Sequence, residues 1–112
     1  MHEITENSNH NSSILLERNH PVALVVGAAS FFGSHLVDSL LSKNVQVVGV
    51  DDLKIGKREN LSEASENSDF HLIIDSGDSL NLDLERLDYI FIVPQQEFKY
   101  GKIFDLFKTL KS

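Results

Sequence analysis

The residues best suited to chemistry lie in one short stretch, "VGAASFFGSHL", Val26 to Leu36, where Gly27, Ser30 and Gly33 make a GxxSxxG pattern. A glycine that ends an apolar run permits a tight turn. A helix beginning just after it offers unpaired N–H groups and a partial positive charge to a phosphate. A later glycine lets helix and sheet approach closely, and dinucleotide-binding turns carry a middle glycine as well, because a Cβ there crowds the pyrophosphate. Here the middle position is Ser30. Three roles are open to it: its hydroxyl donates to a phosphate oxygen, it caps the helix as the N-cap residue, or its side chain obstructs the ligand and leaves a structural turn.

Asp51 stands at the end of a second apolar run, near the position about 20 residues past the turn where an acidic side chain meets an adenosine ribose. A carboxylate there accepts both ribose hydroxyls and repels a 2′-phosphate, which favours NAD over NADP as the expected cofactor. Asp52 beside it reads as an exposed loop residue. The cations that follow, Lys54, Lys57 and Arg58, soften that preference.

These residues need elements to hold them. "VALVV", Val22 to Val26, reads as a strand buried on both faces, and Gly27 ends it. From Phe32 the apolar positions Phe32, Leu36, Val37, Leu40 and Leu41 form a helical stripe opposite Ser34, Asp38, Ser39 and Ser42, and Lys43 and Asn44 suit the helix end. "VQVVGVDD", Val45 to Asp52, is a second strand. "LKIGKRENL" then reads as a loop entering a short helix. "FHLII", Phe70 to Ile74, is a third strand closed by "DSGDS", and "DYIFIV", Asp88 to Val93, a fourth closed by Pro94. Phe98, Ile103, Phe104, Phe107 and Leu110 mark a last helix. Strands alternating with helices imply an α/β fold with a parallel sheet, and right-handed crossovers give about four strands in the order 3-2-1-4, the first part of a doubly wound nucleotide-binding fold.

The bulk properties bound the rest. The chain has 112 residues, 41% of them hydrophobic and 24% charged, the profile of one ordinary globular domain. Residues 1–20 read as a disordered polar tail, leaving residues 21–112 for the domain. Ten Lys and Arg against 17 Asp and Glu give a net charge of -7, so the overall field disfavours nucleic acid and anionic membrane surfaces as partners. The sequence holds no cysteine, which excludes disulfides, thiolate metal sites and a cysteine nucleophile. His2, His10 and His20 share no helical face or tight loop, and no metal is expected. The start of the chain lacks the basic and apolar regions of a signal peptide, so a cytoplasmic location is expected.

Taken together, "GAASFFGSHL" and "DDLKIGKRENL" resemble the NAD-dependent epimerase/dehydratase family, the extended short-chain dehydrogenases. They are most like its UDP-glucose 4-epimerases and UDP-glucuronate decarboxylases, whose turn reads TGGxGFIGSHL and whose second strand runs into DNLxxGKxxNL. The likeness covers about Val22 to Gln96, with "DYIFIVPQQ" standing where the family has a strand like DxVFHLAAQ. It implies a Rossmann-type fold, with Gly27, Ser30, Phe31, Phe32 and Gly33 lining a pyrophosphate and Asp51 holding the ribose. An aspartate after the third strand often meets the adenine; Asp75 and Asp78 compete for that role, with the assignment leaning to Asp78. Val93, Pro94 and Gln95 would border the cofactor beyond the fourth strand. Val26 replaces the family's threonine, Ser30 its glycine, and Pro94 with Gln95 its small alanines.

The family's catalytic YxxxK pair and its sugar-binding part are expected beyond residue 112. "YGK", Tyr100 to Lys102, does not substitute, because a lysine that lowers a tyrosine's pKa must sit about one helical turn away. The resemblance therefore implies an NAD(P)-binding domain without catalytic residues of its own. The alternative is a non-enzymatic nucleotide-binding or interaction module that has lost the cofactor. In either case the open sheet edge beside the fourth strand invites a second copy or a separate C-terminal half.

Overall fold

The computed structural model describes residues 12–13, 20–75, 82–84 and 86–94. Within them, β1 (Val22–Val26) leads into α1 (Phe31–Ser42), then β2 (Gln46–Asp51), two 3-10 turns (Arg58–Leu61 and Ala64–Glu66), β3 (Phe70–Ile74) and β4 (Tyr89–Ile92). The four strands form one sheet in the order β3-β2-β1-β4, with every pair parallel. This is the 3-2-1-4 order expected of a doubly wound α/β fold. A separate two-residue pairing joins Ser12–Ser13 to Leu82–Asp83, also parallel. Gln95, Asp78 and the last apolar stretch, Phe98 to Leu110, lie outside the described residues.

The sheet has an apolar cluster on each face. Val22, Leu24, Val26, Val48, Val50 and Ile73 build one with Leu84. Val25, Val47, Phe70 and Leu72 build the other, against Val37 of α1 and Leu61 and Ala64 of the 3-10 turns. All five residues of β1 are fully buried, which explains why its sequence is a continuous apolar run instead of an alternating one. Burying each such valine or leucine contributes about 1.5–3 kcal/mol, so the central strand anchors the turn that follows it.

Three local expectations change. The link between β2 and β3 contains no α-helix among the described residues; its polar stretch supports two 3-10 turns that bury Leu61 and Ala64. Phe32 does not share the buried stripe of α1 but is 66% exposed, beside Phe31 at 75%. Ser34, expected on the outer side, is buried, and its hydroxyl donates to the Phe31 carbonyl. The first turn of α1 thus meets the sheet through its smallest residues, Gly33 and Ser34, because close approach there leaves no room for a phenylalanine.

The end of α1 is a complete Schellman motif. Val45 N–H donates to the Leu40 carbonyl and Asn44 N–H to the Leu41 carbonyl, with Asn44 at φ 64° in the left-handed region. At the start of the sheet Asp88 ties β1 to β4: it accepts from Val22 N–H at 2.8 Å and donates its own N–H to the Val22 carbonyl.

Candidate nucleotide site at the strand ends

The carboxyl ends of the strands converge on the turn between β1 and α1. Gly27 adopts φ 85°, a conformation that side-chain-bearing residues rarely take. Its N–H and that of Ala28 both donate to the Val50 carbonyl, at 2.8 and 3.3 Å. Gly33 is required for contact: a Cβ built there would lie 2.0 Å from the Gly27 carbonyl oxygen. The two outer glycines of the pattern therefore have separate jobs, one conformational and one steric.

Ser30 is the N-cap of α1. With φ −71° and ψ 166°, its Oγ accepts from Gly33 N–H at 2.9 Å and donates to the Gly27 carbonyl at 2.8 Å. Its carbonyl accepts from Ser34 N–H. The hydroxyl's only proton is thus engaged within the turn, and of the three roles open to Ser30 the arrangement realises the cap.

Of the orphan N–H groups at the helix start, Gly33 is satisfied by Ser30, while those of Phe31 and Phe32 donate to no acceptor among the described residues. No acidic residue lies in the first turn of the helix itself; the Asp51 carboxylate reaches the chain one residue ahead of the cap, at the Ala29 N–H. The exposed Phe31 ring packs on the His35 ring, with centroids 4.5 Å apart, and His35 Nδ1 lies 2.9 Å from the Phe31 carbonyl.

Asp51, the last residue of β2, is fully buried. Its Oδ2 accepts from Ala29 N–H and its Oδ1 from Leu53 N–H, each at 2.8 Å. Both carboxylate oxygens hold the chain's own backbone, and Leu53 is drawn into the left-handed region at φ 65°. Asp52 is partly exposed, and one oxygen accepts from Lys54 N–H. Asp75 follows β3 and donates its N–H to the Asp51 carbonyl at 3.2 Å. Val93 is buried and donates to the Val26 carbonyl, and Pro94 beside it is exposed. Gly27, Ser30, Gly33, Asp51, Asp75, Val93 and Pro94 therefore share one edge of the sheet, next to the position where β2 and β4 leave β1 on opposite sides. Open α/β sheets bind ligands at such a switch point.

The sequence pattern singled out no role for Asn60. Its side-chain N–H donates to the Ala29 carbonyl at 2.9 Å, and Lys57 N–H donates to the same oxygen at 3.0 Å. The signal was present in "GKRENL" as a likeness only, without a physical role.

Elsewhere, Asp38 on α1 has its carboxyl pushed above the ordinary aspartate range, first by burial and then by the charge of Glu63, with His35 opposing. The two acids border a shallow cavity of about 240 Å³ together with Ser42 and Asn67. Among the described residues no cluster of side chains could hold a metal ion, and no helix is long and apolar enough to cross a membrane.

A parallel sheet of this order, with a glycine turn at its switch point and a capped helix opening onto it, defines the nucleotide-binding class of α/β folds. Residues 23–99 match the NAD dependent epimerase/dehydratase family, and the chain belongs to that family. It is 42% identical over 83 residues to the UDP-glucose 4-epimerase of Mycolicibacterium smegmatis, a match covering 74% of this chain and 24% of that protein. It is also 42% identical over 50 residues to UDP-glucuronic acid decarboxylase 1 of Arabidopsis thaliana, covering 45% of this chain and 12% of the relative. A crystal structure of UDP-galactose 4-epimerase superposes with a TM-score of 0.49 at 30% identity, over 71% of this chain and 26% of that one. The chain thus spans about a quarter or less of the length of these relatives.

Proposed function

We propose that this chain is the NAD-binding part of a nucleotide-sugar epimerase or dehydratase, and that it carries no catalytic residue of its own among those described. The observation that supports this most directly is the pair of unpartnered N–H groups of Phe31 and Phe32 at a helix start free of acidic residues. They suit the two phosphates of a dinucleotide, and the lack of a side chain at Gly33 lets the helix start close onto the Gly27 carbonyl. Asp51 and Asp52 put negative charge at the end of β2, which opposes a 2′-phosphate and favours NAD. When bound, the nicotinamide would supply hydride transfer. The residues of this chain would bind and orient the cofactor.

A second reading, a module that keeps the fold and has lost the cofactor, is favoured by the burial of Asp51. With both oxygens engaged and none of its surface open, that carboxylate reaches a ribose only if the loop from Asp52 to Gly56 shifts. Calorimetric titration of the full chain separates the two. The first reading expects saturable one-to-one binding of NAD, about tenfold tighter than NADP, a difference of about 1.4 kcal/mol. Absence of binding at millimolar NAD would overturn it and leave the second.

A further inference from the structure

Ala29 is the residue of the turn held from the loop after β2. It is fully buried, and its N–H donates to Asp51 while its carbonyl accepts from both Lys57 N–H and Asn60 Nδ2. Gly56 lies flat against it, since a Cβ there would come within 2.7 Å of the Ala29 carbonyl carbon. The segment from Asp51 to Asn60 therefore holds one residue of the turn through both its backbone N–H and its carbonyl.

The peptide plane leading from Ala29 into Ser30 is oriented from the loop side by those two donors to the Ala29 carbonyl. Ser30 is the cap, and the next two peptide planes carry the unpartnered N–H groups of Phe31 and Phe32. Of the two donors, Lys57 contributes backbone, which any residue but proline supplies. Asn60 contributes a side chain, so this second bond depends on an amide donor at that position.

We propose that Asn60 is a positioning residue of the phosphate site: its amide fixes the Ala29 carbonyl and thereby aims the Phe31 and Phe32 N–H groups. The ligand half of this statement rests on the dinucleotide reading above; the aiming of the amides does not. Asn60→Ala removes one donor and leaves Lys57 in place. Asn60→Asp sets a carboxylate oxygen against a carbonyl oxygen and is the harsher change, whereas Asn60→Gln keeps a donor.

The test uses the full chain and these three variants, with amide NMR signals recorded without ligand and affinity measured with NAD and, separately, with inorganic pyrophosphate as a probe of the phosphate site alone. The Phe31 and Phe32 signals should move in Asn60→Ala, move further in Asn60→Asp and return toward the wild type in Asn60→Gln, while the β1 and β3 signals stay in place. Affinity for both ligands should fall about fivefold to tenfold in Asn60→Ala, the worth of one neutral hydrogen bond, and further in Asn60→Asp. If the Phe31 and Phe32 signals are unchanged in Asn60→Asp, or if the wild type binds and Asn60→Asp keeps its affinity, the proposal is overturned. Shifted amides in a chain that binds neither ligand would uphold the aiming role and overturn the dinucleotide reading instead.

Discussion

The commitment of the Ser30 hydroxyl to the cap makes a separable prediction. Ser30→Ala removes the oxygen that accepts from Gly33 N–H at 2.9 Å and donates to Gly27 at 2.8 Å. Loss of a serine N-cap costs about 1 kcal/mol. For a domain of about 60–100 residues that lowers Tm by about 4–8 °C. Ser30→Gly also loses the oxygen, but glycine is a tolerable N-cap and the cost falls to a few tenths of a kcal/mol. For a ligand the two variants differ in one respect, because only glycine removes the Cβ beside the turn. Thermal unfolding followed by circular dichroism, without ligand, should therefore rank wild type above Ser30→Gly above Ser30→Ala, and calorimetry should show Ser30→Gly binding NAD no more weakly than wild type. The reasoning would be refuted by an unchanged Tm in Ser30→Ala together with a tenfold loss of NAD affinity. That result would mean that the hydroxyl serves a phosphate and not the helix.

Other changes probe the same framework. Gly33→Ala adds a Cβ 2.0 Å from a backbone oxygen that cannot yield; despite a helix-propensity gain of about 1 kcal/mol, urea unfolding should show a net loss of about 2–3 kcal/mol, and a neutral result would contradict the close contact. Asn44→Gly, at φ 64° in the Schellman motif, should raise the urea midpoint by the equivalent of about 0.5 kcal/mol, with a decrease telling against the left-handed assignment. Asp38 is held above its ordinary range by burial and then by Glu63. Folding is therefore unpenalised below the ordinary aspartate value of about 3.9, and the penalty is complete once pH has risen through the higher folded value. Asp38→Asn should accordingly stabilise the chain at neutral pH and lose that advantage as pH falls toward the ordinary value. An advantage that persisted at acid pH would place its origin elsewhere.

What was legible in the sequence depended on how far apart the interacting groups lie along it. The strand "FHLII" has the bounds its apolar run implies, and β1 matches "VALVV" to the residue, because burial on both faces leaves a continuous local trace. The Ser30 cap spans three residues, and it appeared among the roles that residue type and position allow. Phe32 and Ser34 exchanged their expected environments because periodicity treats all helical turns alike, whereas the first turn of α1 is governed by contact with Gly27. Asp51 was placed at the right strand end, but its partners depend on a turn 22 residues earlier and on a left-handed leucine after it. Neither leaves a pattern in the sequence around it. Asn60 is the extreme case, with its partner 31 residues away. A side chain bonded to distant backbone has no period and no fixed neighbour, so its function becomes visible only once the fold brings the loop onto the turn. If Asn60 positions the phosphate site, then "GKRENL" is tied to the glycine turn by one physical link, the Ala29 carbonyl. The two most recognisable stretches of the chain would then be halves of a single device.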